Sequence, residues 1–122
     1  MLINQGDIYW ALVEKTGDET SGISHPHVIV QDDLFNHSRI DTVLVCALTT
    51  KTKRATEPGN VLLEVGEGNL PKQRVVVVSQ ISTLNKAQLG AYIGALSQQR
   101  VVQILEGIRF QQRAFFNREA PS

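Results

Sequence analysis

A chain of 122 residues, 42% of them apolar, has room for one domain with a real hydrophobic core. Lysine plus arginine balance aspartate plus glutamate at 12 each, so no global field draws in polyanions and any nucleic-acid binding must come from a local patch. The single cysteine, Cys46, excludes an internal disulfide and a cysteine-based metal framework; among Val43, Leu44, Val45 and Ala47 it reads as a buried, inert thiol. No secretory leader is visible and no apolar run nears the roughly 20 residues a bilayer demands, so the cytoplasm is the expected location, with no membrane partner.

Residues 1–118 read as a single domain and 119–122 as a disordered tail. Asp7-Ile8-Tyr9-Trp10-Ala11-Leu12-Val13 is the first strand, followed by a polar loop through Ser24. His27 to Gln31 is the second, with Pro26, which lacks an N–H, at its threshold. Asp41 to Leu48 forms the third, and Asn60 to Val65 the fourth after the turn signal Pro58-Gly59. Arg74 to Val78 is too β-branched for a comfortable helix and presents apolar groups on both faces. Such a strand needs cover on both sides, and a second subunit is one source.

The period then changes. Asn85-Lys86-Ala87-Gln88 carries the capping pattern of a short helix that Gly90 would end. Ser97 caps a longer helix reaching about Phe116, with Val101, Ile104, Leu105, Ile108, Gln112 and Phe115 on one face. Short strands followed by one amphipathic helix predict a mainly β fold, a small barrel with the C-terminal helix packed on it.

Three places could carry chemistry. Thr49-Thr50-Lys51-Thr52-Lys53-Arg54 holds three hydroxyls and three cations, the donors that grip phosphate oxygens. The same composition also suits a solvated inter-strand loop, but Thr49 lies at the strand's end, where the scaffold holds its hydroxyl steadily. His25 and His27 flank Pro26. Imidazole both accepts and donates a proton near neutral pH; His25 sits at a loop end with solvent access, whereas His27, within the strand, reads as structural. No third ligand stands at metal spacing, so no metal and no cofactor are expected. The run from Gln31 to Arg39 is dense in donors and acceptors around Phe35, which fits base edges and stacking, or an ordinary turn.

In order and spacing, Gly6-Asp7-Ile8-Tyr9-Trp10, the residue-Pro pair before Val28-Ile29-Val30-Gln31, Ala47-Leu48-Thr49, and Ser79-Gln80-Ile81-Ser82-Thr83-Leu84 before Asn85-Lys86 resemble the MazF/PemK family of toxin endoribonucleases. The resemblance implies an SH3-like (CcdB/PemK-type) β-barrel, a homodimer, and metal-independent, sequence-selective cleavage of single-stranded RNA to 2′,3′-cyclic phosphate and 5′-hydroxyl ends. It also implies a cognate antitoxin, through which alone DNA is contacted. In the family an arginine before the proline and a threonine after the third strand form the catalytic pair. Thr49 matches the threonine, and His25 stands where the arginine is expected. The family's Gly-Ser-Glu is approached by Gly17-Asp18-Glu19, shifted by one residue. His25 is then read as proton carrier and Thr49 as phosphoryl donor. Thr50, Lys51, Lys53 and Arg54 are expected to hold RNA, with Gln31, Asn36 and Gln80 as base or sugar contacts. On fold analogy, a non-catalytic inhibitor of DNA gyrase is the competing reading, and an inactive member kept for antitoxin binding a third.

Overall fold

The computed structural model describes residues 2–13 and 23–119, with side chains as far as residue 113. Gly17-Asp18-Glu19 and the tail after residue 119 lie outside the described residues. Strands β1 (Asp7–Ala11), β2 (His25–Ile29), β3 (Thr42–Thr49), β4 (Val61–Leu63), β5 (Arg74–Asn85) and β6 (Leu89–Ala95) form one antiparallel sheet in the order β4-β5-β3-β2-β1-β6. A one-turn helix, α1 (Asp33–Asn36), joins β2 to β3, and the long helix α2 (Gln98–Glu119) follows β6.

The expected barrel is left open, because its edge strands β4 and β6 are not paired with each other. A 3-10 turn at Glu67–Asn69 spans the gap, with Asn69 Nδ2 donating to the Ile93 carbonyl at 3.1 Å. The approach is close enough that a Cβ on Gly94 would collide with the carbonyl of Gly68, so glycine is required there.

Each face of the sheet carries its own core. Ile8, Val28, Cys46, Leu48 and Val76 lie on one face, under Val101 and Ile104 of α2. Tyr9, Ala11, Ile29, Val43, Val45 and Leu84 line the other. This is the period-two alternation of strands buried on both sides. Burial pushes the Cys46 thiol up to about 12, consistent with an inert side chain. Ser97 caps α2 as expected, its hydroxyl accepting from the Arg100 N–H at 3.2 Å. Of the predicted stripe, Val101 and Ile104 are buried and Ile108 packs beside them, whereas Leu105 and Gln112 are exposed and Phe115 lies outside the described side chains.

Three expectations are corrected. First, β2 begins at His25 rather than His27, and Pro26 sits inside it opposite Trp10. Second, the capping box at Asn85 and Gln88 exists, but it starts only a 3-10 turn; Leu89 then opens β6, so Gly90 is a strand residue whose missing Cβ admits the Trp10 backbone. Third, Val75 to Val78 are at most 1% exposed within the single chain, so this strand calls for no second subunit. A 3-10 helix at Thr52–Thr56 and α2 both pack against β5.

Candidate active site

β2 and β3 pair antiparallel with His27 opposite Ala47, Val28 opposite Cys46 and Ile29 opposite Val45. Carried two residues past the last pair, the same register sets His25 opposite Thr49. Directly opposed residues in such a ladder share a face, with Cβ atoms about 5 Å apart. His25 is also paired with Ala11 on its other side, and Thr49 with Val75 on β5. The two residues therefore end neighbouring strands at the same edge of the same face, held by neighbours that are nearly all buried.

Their side chains differ from the core just below them. His25 is exposed, whereas His27 is only 5% exposed, and His27 Nδ1 lies 2.8 Å from the His25 carbonyl. A carbonyl only accepts, so Nδ1 of His27 carries the proton and the bond braces the backbone that presents His25. Thr49 is partly exposed, and its Oγ1 accepts from the Lys51 N–H at 3.2 Å. That bond fixes the oxygen and leaves the hydroxyl proton free to donate.

After Thr49 the chain enters the Thr52–Thr56 3-10 helix in place of the expected irregular loop. Thr50, Lys51 and Lys53 are exposed. Arg54 is engaged, with Nε and Nη2 donating to the Glu57 carboxylate at 2.9 and 3.0 Å. That fork raises the guanidinium's pKa and lowers the carboxylate's. Gln80, partly exposed, lies where the β3–β5 ladder skips: Cys46 pairs with Ile81 but Leu48 with Val76, so Ala47 faces a widened segment of β5. Inside that segment the Val78 N–H donates to Asn60 Oδ1 at 3.1 Å.

Gln31 and Asn36 sit elsewhere, in a polar knot around α1. Gln31 Nε2 donates to Asn36 Oδ1 and to the Thr42 carbonyl at 3.0 and 3.1 Å. Asn36 is 5% exposed, and its Nδ2 donates to the Gln31 carbonyl at 2.8 Å and to Asp33 Oδ1 at 3.0 Å. Both side chains are thus bound to the protein itself. Among the described residues, no three His, Cys, Asp or Glu side chains gather as a metal-holding group. An open concavity between β4 and α2, lined by Asn60, Leu62, Arg100, Glu106 and Phe110, includes none of the predicted site residues.

Sequence reasoning passed over Arg74, the first residue of β5. Its Nη1 donates to the Leu48 carbonyl at 3.1 Å, while its Nε is buried with no hydrogen-bond partner. The signal available was a lone arginine heading an apolar run, with no acidic neighbour beside it.

Residues 4–111 match the family described as PemK-like, MazF-like toxin of type II toxin-antitoxin system. The chain is 33% identical over 109 residues to the endoribonuclease MazF6 of Mycobacterium tuberculosis, covering 89% of this chain and 96% of that protein. It is 34% identical over 104 residues to the endoribonuclease MazF of Staphylococcus epidermidis, covering 84% and 85%. Among solved structures, an endoribonuclease in complex with its cognate antitoxin from Mycobacterial species superposes with a TM-score of 0.69 at 25% identity, over 87% of this chain and 90% of that one. A MazF from Deinococcus radiodurans, at 14% identity and a TM-score of 0.69 over 88% of this chain and 94% of that one, shares the fold. With strand order, helix and the spacing of its motifs all in agreement, this chain belongs to the PemK/MazF-like family of type II toxin–antitoxin toxins.

Proposed function

We propose that this toxin is a sequence-selective endoribonuclease that cuts single-stranded messenger RNA without a metal ion, leaving a 2′,3′-cyclic phosphate and a 5′-hydroxyl. The reaction asks for three things: a base for the 2′-hydroxyl, an acid for the departing 5′-oxygen, and donors for the charge that builds on the phosphorus oxygens. His25 is the proton carrier. It takes the 2′-hydroxyl proton as the 2′-oxygen attacks phosphorus, and the 5′-oxygen leaves with a proton returned from the imidazolium. Thr49 donates its hydroxyl to a non-bridging oxygen. Arginine, with a pKa above ~12, clamps charge well but accepts protons poorly, so histidine at this position exchanges a clamp for a base.

The observation that carries this reading is the β2–β3 register, whose outermost pair, His27 with Ala47, supports His25 and Thr49 facing each other when it is continued by two residues. Thr50, Lys51, Lys53 and Gln80 contact the RNA. Arg54 arrives already paired with Glu57, and Gln31 and Asn36 arrive bonded within the protein, so their part is to hold the frame of the site. The protein works in the cytoplasm, as a homodimer, and is silenced by a cognate antitoxin that covers the RNA-binding edge.

Total RNA incubated with purified protein in EDTA, followed by end-group analysis, tests the proposal. Discrete cuts bearing cyclic phosphates are expected. Intact RNA together with arrested growth on expression would move the function to a non-catalytic toxin. Intact RNA without arrest would leave an inactive, antitoxin-binding member.

A further inference from the structure

We propose that Arg74 supplies the fixed positive charge for an RNA phosphate at the Thr49 end of the site, in place of the arginine this chain lacks at position 25. The inference rests on the endoribonuclease reading and adds a residue to it.

Arg74 opens β5 one position before Val75, and Val75 is the β5 partner of Thr49. Its guanidinium is anchored on the Leu48 carbonyl at 3.1 Å, and that carbonyl belongs to the peptide group whose N–H is Thr49's own. The charge is therefore held at the backbone of the residue that presents the donor hydroxyl. Lys51 and Lys53, by contrast, are exposed on the following 3-10 segment, where long side chains hold no single geometry.

What singles out Arg74 is that it is partly buried, unlike the exposed Arg39, Arg109 and Arg113, and yet pairs with no carboxylate among the described residues. The other two arginines that form close ion pairs do so through two nitrogens each: Arg54 with Glu57, and Arg100 with Glu67 at 2.9 Å through both Nε and Nη2. Among the described residues no carboxylate lies within ion-pair distance of Arg74. It uses one N–H on a neutral carbonyl, its Nε is buried without a partner, and burial lowers its pKa. A guanidinium offers five N–H donors in a fork that matches phosphate geometry, and a partly buried cation without a counterion is costly. Nε is enclosed and Nη1 is on Leu48, but the side chain as a whole is only partly buried and Nη2 is neither bonded nor enclosed, so an anion can reach the guanidinium there. A phosphate docked on Nη2 supplies the missing counter-charge beside the backbone that carries Thr49.

The test uses the full chain and two variants. Arg74→Gln keeps an N–H donor for Leu48 but loses the charge; Arg74→Lys keeps the charge but loses the fork. Binding of a short mixed-sequence RNA, 2′-O-methylated throughout so that it cannot be cut, is measured across a salt series. Each phosphate contact to a single strand contributes a log–log slope of about 0.7. Arg74→Gln should lower the slope by about that amount and cut cleavage of ordinary RNA by about 10²-fold, whereas Arg74→Lys keeps the slope and recovers part of the rate. An unchanged slope in folded Arg74→Gln overturns the inference, whatever the rate does. Should that variant not fold, the Arg74 Nε–H signal of the wild type is followed by NMR as the methylated RNA is added: a shift supports the contact, and a signal that stays put overturns it. Wild-type protein that binds the RNA with the expected Arg74 dependence yet cuts nothing sinks the nuclease reading alone. Wild type that does not bind RNA sinks both.

Discussion

Two polar regions of this small protein look alike in composition and differ in how their hydrogen bonds close. Around α1, Asp33 accepts from the Gln5 N–H at 2.6 Å and from Asn36 Nδ2 at 3.0 Å, His37 Nε2 meets Asn4 Oδ1 at 2.9 Å, and Lys86 Nζ donates to the Asn36 carbonyl at 2.9 Å. Almost every donor there is spent inside the molecule, tying the N-terminus, the β2–β3 connection and the end of β5 together. At the outer ends of β2 and β3, His25, Thr50, Lys51 and Lys53 are exposed and the Thr49 proton is unspent. Polar groups saturated at home stabilise a fold; polar groups held rigidly but left open are available to a ligand.

The comparison breaks first at His25. His25→Ala should reduce RNA cleavage by roughly 10²–10⁴-fold while leaving the melting temperature and RNA binding near wild type, since an exposed side chain is removed. Wild-type cleavage by this variant would end the proton-carrier role. Thr49→Val keeps shape and removes one donor, and a loss of about 10²-fold is expected, again with little change in stability.

How much of this was readable beforehand follows the same division. β1, β3 and α2 were legible within a few residues because apolar periodicity and the Ser97 cap dictate them. β6 was not, because Gly90 and Gly94 look like a helix stop and a loop. Their role is close packing, against Trp10 and Gly68, which only the assembled sheet reveals. The site was half legible. Residue type and position at strand ends pointed to His25 and Thr49 as candidates, but whether they could meet depends on the β2–β3 register, which the sequence does not display. Gln31 and Asn36 were drawn into the RNA site by their donor inventory, and an inventory cannot say which donors are already spent.

At the knot, the expected effects move from rate to stability. Asn36 is buried and joins Gln31 to Asp33, so Asn36→Ala strands buried partners and should cost about 1–3 kcal/mol in denaturant unfolding, with cleavage per folded molecule unchanged. Equal losses in activity and stability would instead put Asn36 in contact with RNA. Acid acts here too. The Asn36 hydrogen bond, and then that from the Gln5 N–H, hold the Asp33 carboxyl below its ordinary 3.8. A depressed carboxylate contributes stability that is fully present above 3.8 and is lost as pH falls through its lower folded value. Asp7 works the other way, since burial raises its pKa and protonation relieves it. Asp33→Asn should therefore flatten the acid side of the stability profile, and Asp7→Asn should steepen it.

The smallest effects distinguish cations of one loop from each other. Lys51 and Lys53 are exposed with no carboxylate within ion-pair distance among the described residues, whereas Arg54 is forked onto Glu57. If availability rather than proximity decides who holds RNA, Lys51→Ala and Lys53→Ala should each lower the salt slope of binding by about 0.7, and Arg54→Ala by much less. Glu57→Gln would then release Arg54 and raise affinity at low salt, a gain with no new residue in the site. A slope that falls equally for all three cations would mean that the Arg54–Glu57 pair opens freely when RNA arrives. An exposed, solvent-screened pair sets only a small barrier to that opening, so the difference between Arg54→Ala and the lysine variants measures how much of it survives in solution.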